Sequence, residues 1–126
     1  VEAVRADAGA FLEECAASGR TFDVVSLDPP ALVKRRKDLE AGLRAYERLN
    51  RLAMDVLADD GILMTCSCSQ HVDAWDLRRV ALRAANAAGR RAQVLAQGRQ
   101  GPDHPAHPAM AETDYLKSFT LRLLRR

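Results

Sequence analysis

At 126 residues, 48% of them apolar, the chain is long enough to close one core and leaves no room for a second domain. No apolar stretch approaches the roughly 18 residues that span a bilayer, and the first residues lack the charged and apolar regions of a signal peptide, which points to a cytoplasmic chain with no membrane partner. The formal net charge is only +2, yet basic residues cluster in "KRRK" (34–37) and in the pairs at 90–91 and 125–126, and three cysteines are too few and odd in number for a secreted disulfide framework.

Short apolar runs alternate with longer amphipathic ones, the signature of strand and helix units in an α/β, mostly parallel sheet. "VEAVRAD" (1–7) reads as an alternating strand, and because it begins at Val1 without an initiator methionine the chain reads as a fragment. Ala10 to Ser18 predicts a helix with Phe11, Leu12, Cys15 and Ala16 on one face and Gly19 at its end, which makes Cys15 a core residue. "FDVVSLD" (22–28) is nearly continuous in apolar residues and stops at Asp28 before Pro29 and Pro30, as expected of a strand buried on both faces.

From Asp38 to about Leu57 the apolar residues recur at three- and four-residue spacing, a long covering helix that "DDG" (59–61) ends. "ILMTC" (62–66) is the next strand, and Asp73 is a plausible N-cap for a helix running to about Ala88 and closed by Gly89. "AQVLAQ" and "YLKSFTLRLL" predict two final strands. Residues 98–114 between them carry three of the five prolines and form no regular structure. No internal repeat is present.

Ligands of open α/β sheets bind beyond the carboxyl ends of the strands, so the residues following Asp7, Asp28 and Cys66 are expected in one crevice. An acid, a "DPP" and a cysteine at three successive strand ends resemble class I S-adenosylmethionine-dependent methyltransferases. Within that class the chain resembles the bacterial large-subunit rRNA cytosine-C5 methyltransferases of the RlmI type. The likeness runs through "FDVVSLDPPALV", "LRAYERLNRLAMDVLADDGILM", "SCS" (67–69), "RQGPDHP" (99–105) and "YLKSF" (115–119).

The resemblance implies a Rossmann-like sheet, mostly parallel with its last strand antiparallel, and S-adenosyl-L-methionine as cofactor with 23S rRNA as partner. It places Asp7 at the cofactor's adenine and lines the floor where donor and target base meet with Asp28, Pro29 and Pro30. Residue by residue, the simpler reading of Asp7 is a helix cap or turn. Asp28 is implied to hold the cytosine edge at N3 or N4 and favour its protonation, in the manner of a general acid.

A cysteine in this strand-end motif implies carbon methylation. Cytosine C5 is a poor nucleophile, so a thiolate first adds to C6 and creates carbanion character at C5; afterwards a base removes the C5 proton and the thiolate leaves. In RNA cytosine-C5 enzymes the cysteine lies seven positions after the glycine that opens the strand, and Gly61 plus seven is Cys68. Cys66, two residues earlier on the same strand face, reads as a small buried residue. The thiolate of Cys68 needs a positive field, from basic groups or from the helix start near Asp73. Many such enzymes carry a second cysteine where this chain has Ala31, which leaves the base for the C5 proton unassigned.

Lys34, Arg35 and Arg36 follow the "DPP" loop, where they are candidates for RNA phosphate contacts, with a plain solvated face as the alternative. His71, His104 and His107 match no zinc spacing, so no metal is expected. The glycine-rich cofactor turn, the ribose-binding acid and the RNA-binding PUA domain of the family are not found in residues 1–126. The chain therefore reads as the C-terminal portion of a catalytic domain, inactive or at best a weak cofactor binder by itself. Two alternatives remain: a nucleic-acid nitrogen methyltransferase with Cys68 incidental, and a non-catalytic RNA-binding module. Monomer or dimer is left open.

Overall fold

The computed structural model describes residues 1–125. In chain order the elements are α1 (Ala8–Ala17), β1 (Phe22–Leu27), α2 (Leu39–Asp55), β2 (Leu57–Ser67), α3 (Ala74–Ala87), β3 (Arg90–Arg99) and β4 (Lys117–Arg125), with short 3-10 turns at Arg36–Asp38 and Ala111–Thr113. The helix starts follow from side-chain chemistry. Asp7 accepts a hydrogen bond from the Ala10 amide at the start of α1, and Asp73 forms a reciprocal capping box with Asp76 at the start of α3. Past α3, Gly89 takes φ 65°, a left-handed turn that glycine adopts without strain, and the chain reverses into β3.

The sheet order is β1-β2-β4-β3. β1 pairs parallel to β2, and β4 runs antiparallel to both β2 and β3, so three strands share one direction and the last strand opposes them. This is the α/β arrangement expected of the Rossmann-like class I methyltransferase sheet. Helices α2 and α3 pack on each other and over the sheet. Leu63 and Thr65 of β2 and Phe119, Leu121 and Leu123 of β4 are buried beneath them, while Val24, Met64 and Val94 remain exposed. Alternation along the strands thus separates a covered face from an open one. Cys15 and Leu12 of α1 join the main apolar cluster, together with Tyr46, Met54, Leu77 and Ala84.

Three expectations are corrected. Residues 1–6 form no strand and are exposed, because none of the four strands lies beside them to accept their backbone hydrogen bonds. β1 is not buried on both faces: it is the outer strand of the sheet, and Val24 keeps 64% of its surface. The alternation-free apolar run therefore signals a parallel strand whose second face is uncovered here. Finally, "DDG" does not end α2. That helix stops at Asp55, Leu57 already pairs with Phe22, and Asp60 at φ 67° lets the strand bulge before Ile62 resumes the ladder with Val24.

Candidate active site

Two clefts lie at the carboxyl ends of β1 and β2, and residues of the loop that follows β1 line both. The first, of ≈ 620 Å³, is lined by Asp7, Gly9, Asp28, Pro29, Pro30 and Arg48 among others. The second, of ≈ 330 Å³, contains Ala31, Lys34, Cys68, His71, Glu112 and Tyr115. The expected single crevice is thus divided: Asp7 and Asp28 share one cleft, Cys68 occupies the other, and Cys66 lines neither.

Both acids of the first cleft sit where strand and helix ends place them. Asp28 follows the last residue of β1 and is exposed. Asp7 caps α1, its Oδ1 3.0 Å from the Ala10 amide, so it fills the helix-cap role and lines the cleft together. Pro29 is buried and Pro30 exposed, and neither offers a backbone donor to the cleft. Of the basic run, Lys34 lines the second cleft. Arg35 is turned onto Asp38 in a two-point ion pair, with Nε to Oδ2 at 2.7 Å, and neither it nor the exposed Arg36 lines a cleft. Among the described residues no cluster of histidine, cysteine, aspartate or glutamate could hold a metal ion.

The two cysteines of "CSC" have different surroundings. Cys66 lies within β2, pairs with Ser118 of β4 and is 7% exposed, yet it stands apart from the main apolar cluster. Burial pushes its thiol up from the ordinary range, and the negative charges of Asp28 and of a Cys68 thiolate push the same way. Cys66 therefore stays a neutral thiol. Cys68 lies one residue beyond the end of β2, half-buried and facing the cleft.

What fixes the Cys68 turn is a buried hydroxyl network that periodicity alone does not reveal. Tyr46 of α2 is fully buried; its hydroxyl stands 2.8 Å from Ser69 Oγ and accepts from Ser67 Oγ at 3.0 Å. Ser69 Oγ in turn accepts from the Val33 amide at 3.2 Å, which ties the turn to the loop after β1. From β4, the Lys117 ammonium donates to the Ser69 carbonyl at 2.6 Å, and the Lys117 backbone pairs with Ser67. Lys117 so brackets Cys68 from both sides. Burial lowers its affinity for the proton, opposed by Cys68 first and then by Asp73, Asp114 and Asp76. Sequence reasoning read Tyr46 only as one apolar position of a covering helix and Lys117 as part of a strand and of the "YLKSF" likeness, with no role of its own; the signal for both is a polar group at a core-facing position, which requires a partner.

No protein-family model matches the chain. It is 38% identical over 120 residues to the ribosomal RNA large subunit methyltransferase of Deinococcus radiodurans, an overlap of 95% of this chain and 29% of that protein. It is 37% identical over 123 residues to ribosomal RNA large subunit methyltransferase I of Cronobacter sakazakii and of Escherichia coli O1:K1, covering 98% of this chain and 31% of each. The chain therefore spans less than a third of the length of these curated relatives. Among solved structures, a protein from Streptococcus mutans described as a SAM-dependent methyltransferase superposes with a TM-score of 0.75 at 16% identity, over 93% of this chain and 29% of that one. A second, described as a methyltransferase complexed with SAH, gives 0.73 at 16% identity over 93% and 30%. The likeness read from the motifs thus extends over nearly the whole chain, and the superpositions carry the fold.

Proposed function

We propose that the chain is the C-terminal portion of the catalytic domain of an S-adenosylmethionine-dependent large-subunit rRNA methyltransferase, and that the full-length enzyme methylates a cytosine of 23S rRNA at C5 through a covalent Cys68 adduct. The similarity to large-subunit rRNA methyltransferases over 95–98% of the chain supports the rRNA substrate and the reaction class. The observation that carries the carbon reading is the contrast between the two cysteines: Cys68 is presented to a cleft at a strand end, while Cys66 is buried and held neutral.

The first cleft fits the cofactor in kind. It offers two carboxylates, from Asp7 and Asp28, for polar hydrogens, and apolar walls from Leu27, Pro29 and Leu49 for a flat ring. When bound, S-adenosylmethionine supplies an electrophilic methyl group. Cys68 attacks C6 of the target base as the thiolate, with the Lys117 ammonium beside its turn providing favourable charge. Asp28 holds the N3/N4 edge and stabilises its protonation as negative charge develops. Lys34, exposed at the mouth of the Cys68 cleft, and Arg36 hold phosphate once the base has been turned out of its stack.

The test is a trap. The full-length protein carrying this chain is incubated with cofactor and an rRNA fragment containing 5-fluorocytidine, and the products are resolved on a denaturing gel. The expected result is a covalent adduct mapped by mass spectrometry to Cys68 and lost in Cys68→Ala. Methyl transfer to ordinary RNA without any adduct would overturn the carbon reading in favour of methylation at nitrogen.

A further inference from the structure

We propose that His71 is the base that removes the C5 proton and so releases the methylated cytosine from Cys68, an assignment that rests on the cytosine-C5 reading above. Residues of the loop 28–34 line both clefts, so with the methyl donor held in the Asp7–Asp28 cleft and the thiolate in the Cys68 cleft, donor and sulfur would reach a base between them from different sides. The methyl group then enters C5 on the face away from the sulfur. The hydrogen already on C5 is turned to the sulfur's side, and the group that takes it must come from the Cys68 cleft.

That cleft holds four titratable side chains besides Cys68: Lys34, His71, Glu112 and Tyr115. An ammonium has no lone pair with which to take a proton and a phenol offers its own, whereas histidine is the side chain that most often serves as a general base. Ala31, in the same cleft, has no ionisable group. The groups around the cleft are committed otherwise. The Lys117 ammonium is bonded to the Ser69 carbonyl, Cys66 is buried with its thiol pushed up, and Asp28 lines the other cleft.

His71 is also exposed and lies three residues beyond Cys68, in the turn that enters α3, so a proton taken there passes directly to water. In the step itself the C5–H bond breaks and its electron pair becomes the C5=C6 double bond. The C6–S bond breaks with its pair leaving on the Cys68 thiolate, and the proton goes to the imidazole.

The experiment uses the full-length protein with cofactor and unmodified rRNA, comparing wild type, His71→Ala, His71→Gln and Glu112→Gln. Expected for His71→Ala is a methylated protein–RNA adduct that accumulates through Cys68 and survives denaturation. Turnover falls on the order of 10²-fold or more, the usual contribution of a positioned general base, and free imidazole restores release. His71→Gln, close in size and without a basic nitrogen, behaves the same way and replaces the alanine variant should that one fail to fold. Product release at the wild-type rate by both His71 variants, or adduct accumulation in Glu112→Gln instead, overturns the assignment. Failure of the carbon reading looks different: wild type then forms no adduct with 5-fluorocytidine RNA while still methylating ordinary RNA.

Discussion

The hydroxyl of Tyr46 lies 2.8 Å from Ser69 Oγ inside a core where Tyr46 has no solvent exposure, so a residue of the covering helix α2 holds the turn that carries Cys68. Tyr46→Phe keeps the ring and removes the group shared by Ser67 and Ser69, leaving two buried hydroxyls short of a partner. The expected loss is about 1–3 kcal/mol, the cost of unsatisfied buried polar groups, read as a lower urea midpoint at unchanged m-value. An unchanged midpoint would show that the network is not maintained in solution.

Gly42, buried on α2, allows the loop after β1 to lie against the helix. A Cβ there would collide with Val33 Cγ2 and stand 3.0 Å from the Leu32 carbonyl oxygen. Helix propensity alone favours Gly42→Ala by up to ~1 kcal/mol, but overpacking against a backbone carbonyl costs about 1–3 kcal/mol. Overpacking wins because Val33 is itself 2% exposed and has nowhere to move. Thermal unfolding of Gly42→Ala should show a lower Tm; a raised Tm would mean that the loop yields.

These two sites mark what the sequence made legible and what it did not. The strand end at Asp28 and the capping Asp73 follow from local pattern, since each is written in adjacent residues, whereas the opposed last strand and the choice of Cys68 over Cys66 follow only from the resemblance to the methyltransferase family. Strand "VEAVRAD" failed because a strand is defined by its neighbour, and pattern cannot say whether one is present. The division of one crevice into two clefts depends on where Leu32 and Val33 lie, and that is set by Tyr46, Gly42 and Ser69, residues far apart in sequence. Tyr46 fits the apolar period of α2, which hides its hydroxyl from a reading by hydropathy.

Lys117 gives a pH dependence whose sign is fixed. Burial lowers its proton affinity in the folded chain below the ordinary 10.5, so the unfolded chain binds the proton more readily. Stability therefore rises with pH across the window between the lowered folded value and 10.5, and the buried ammonium is least favourable below it. The difference in stability between Cys68→Ala and Cys68→Ala/Lys117→Met, measured by urea titration at several alkaline pH values, isolates this term without the neighbouring thiol. It should move in favour of the lysine as pH rises; a flat difference would mean that the ammonium is solvated.

The two thiols of β2 and its turn should separate in a direct chemical measurement. Alkylation proceeds through the thiolate and requires access. Cys66 is disfavoured on both counts: it is 7% exposed, and burial together with Asp28 and Cys68 raises its thiol above the ordinary 9.0. Cys15, 3% exposed, is shielded by its packing in the core. Cys68 lines a cleft and is half-buried. Limited treatment of the folded chain with iodoacetamide near pH 8, followed by peptide mapping, should label Cys68 first, with Cys66 and Cys15 reacting only on unfolding in urea. Replacing Asp28 by Asn removes one of the charges that hold Cys66 neutral but leaves its burial, so Cys66 should gain little and Cys68 should still lead. Preferential labelling of Cys66 in the folded state would reverse the assignment of the nucleophile, because the reactive thiol would then be the one two residues earlier on the strand.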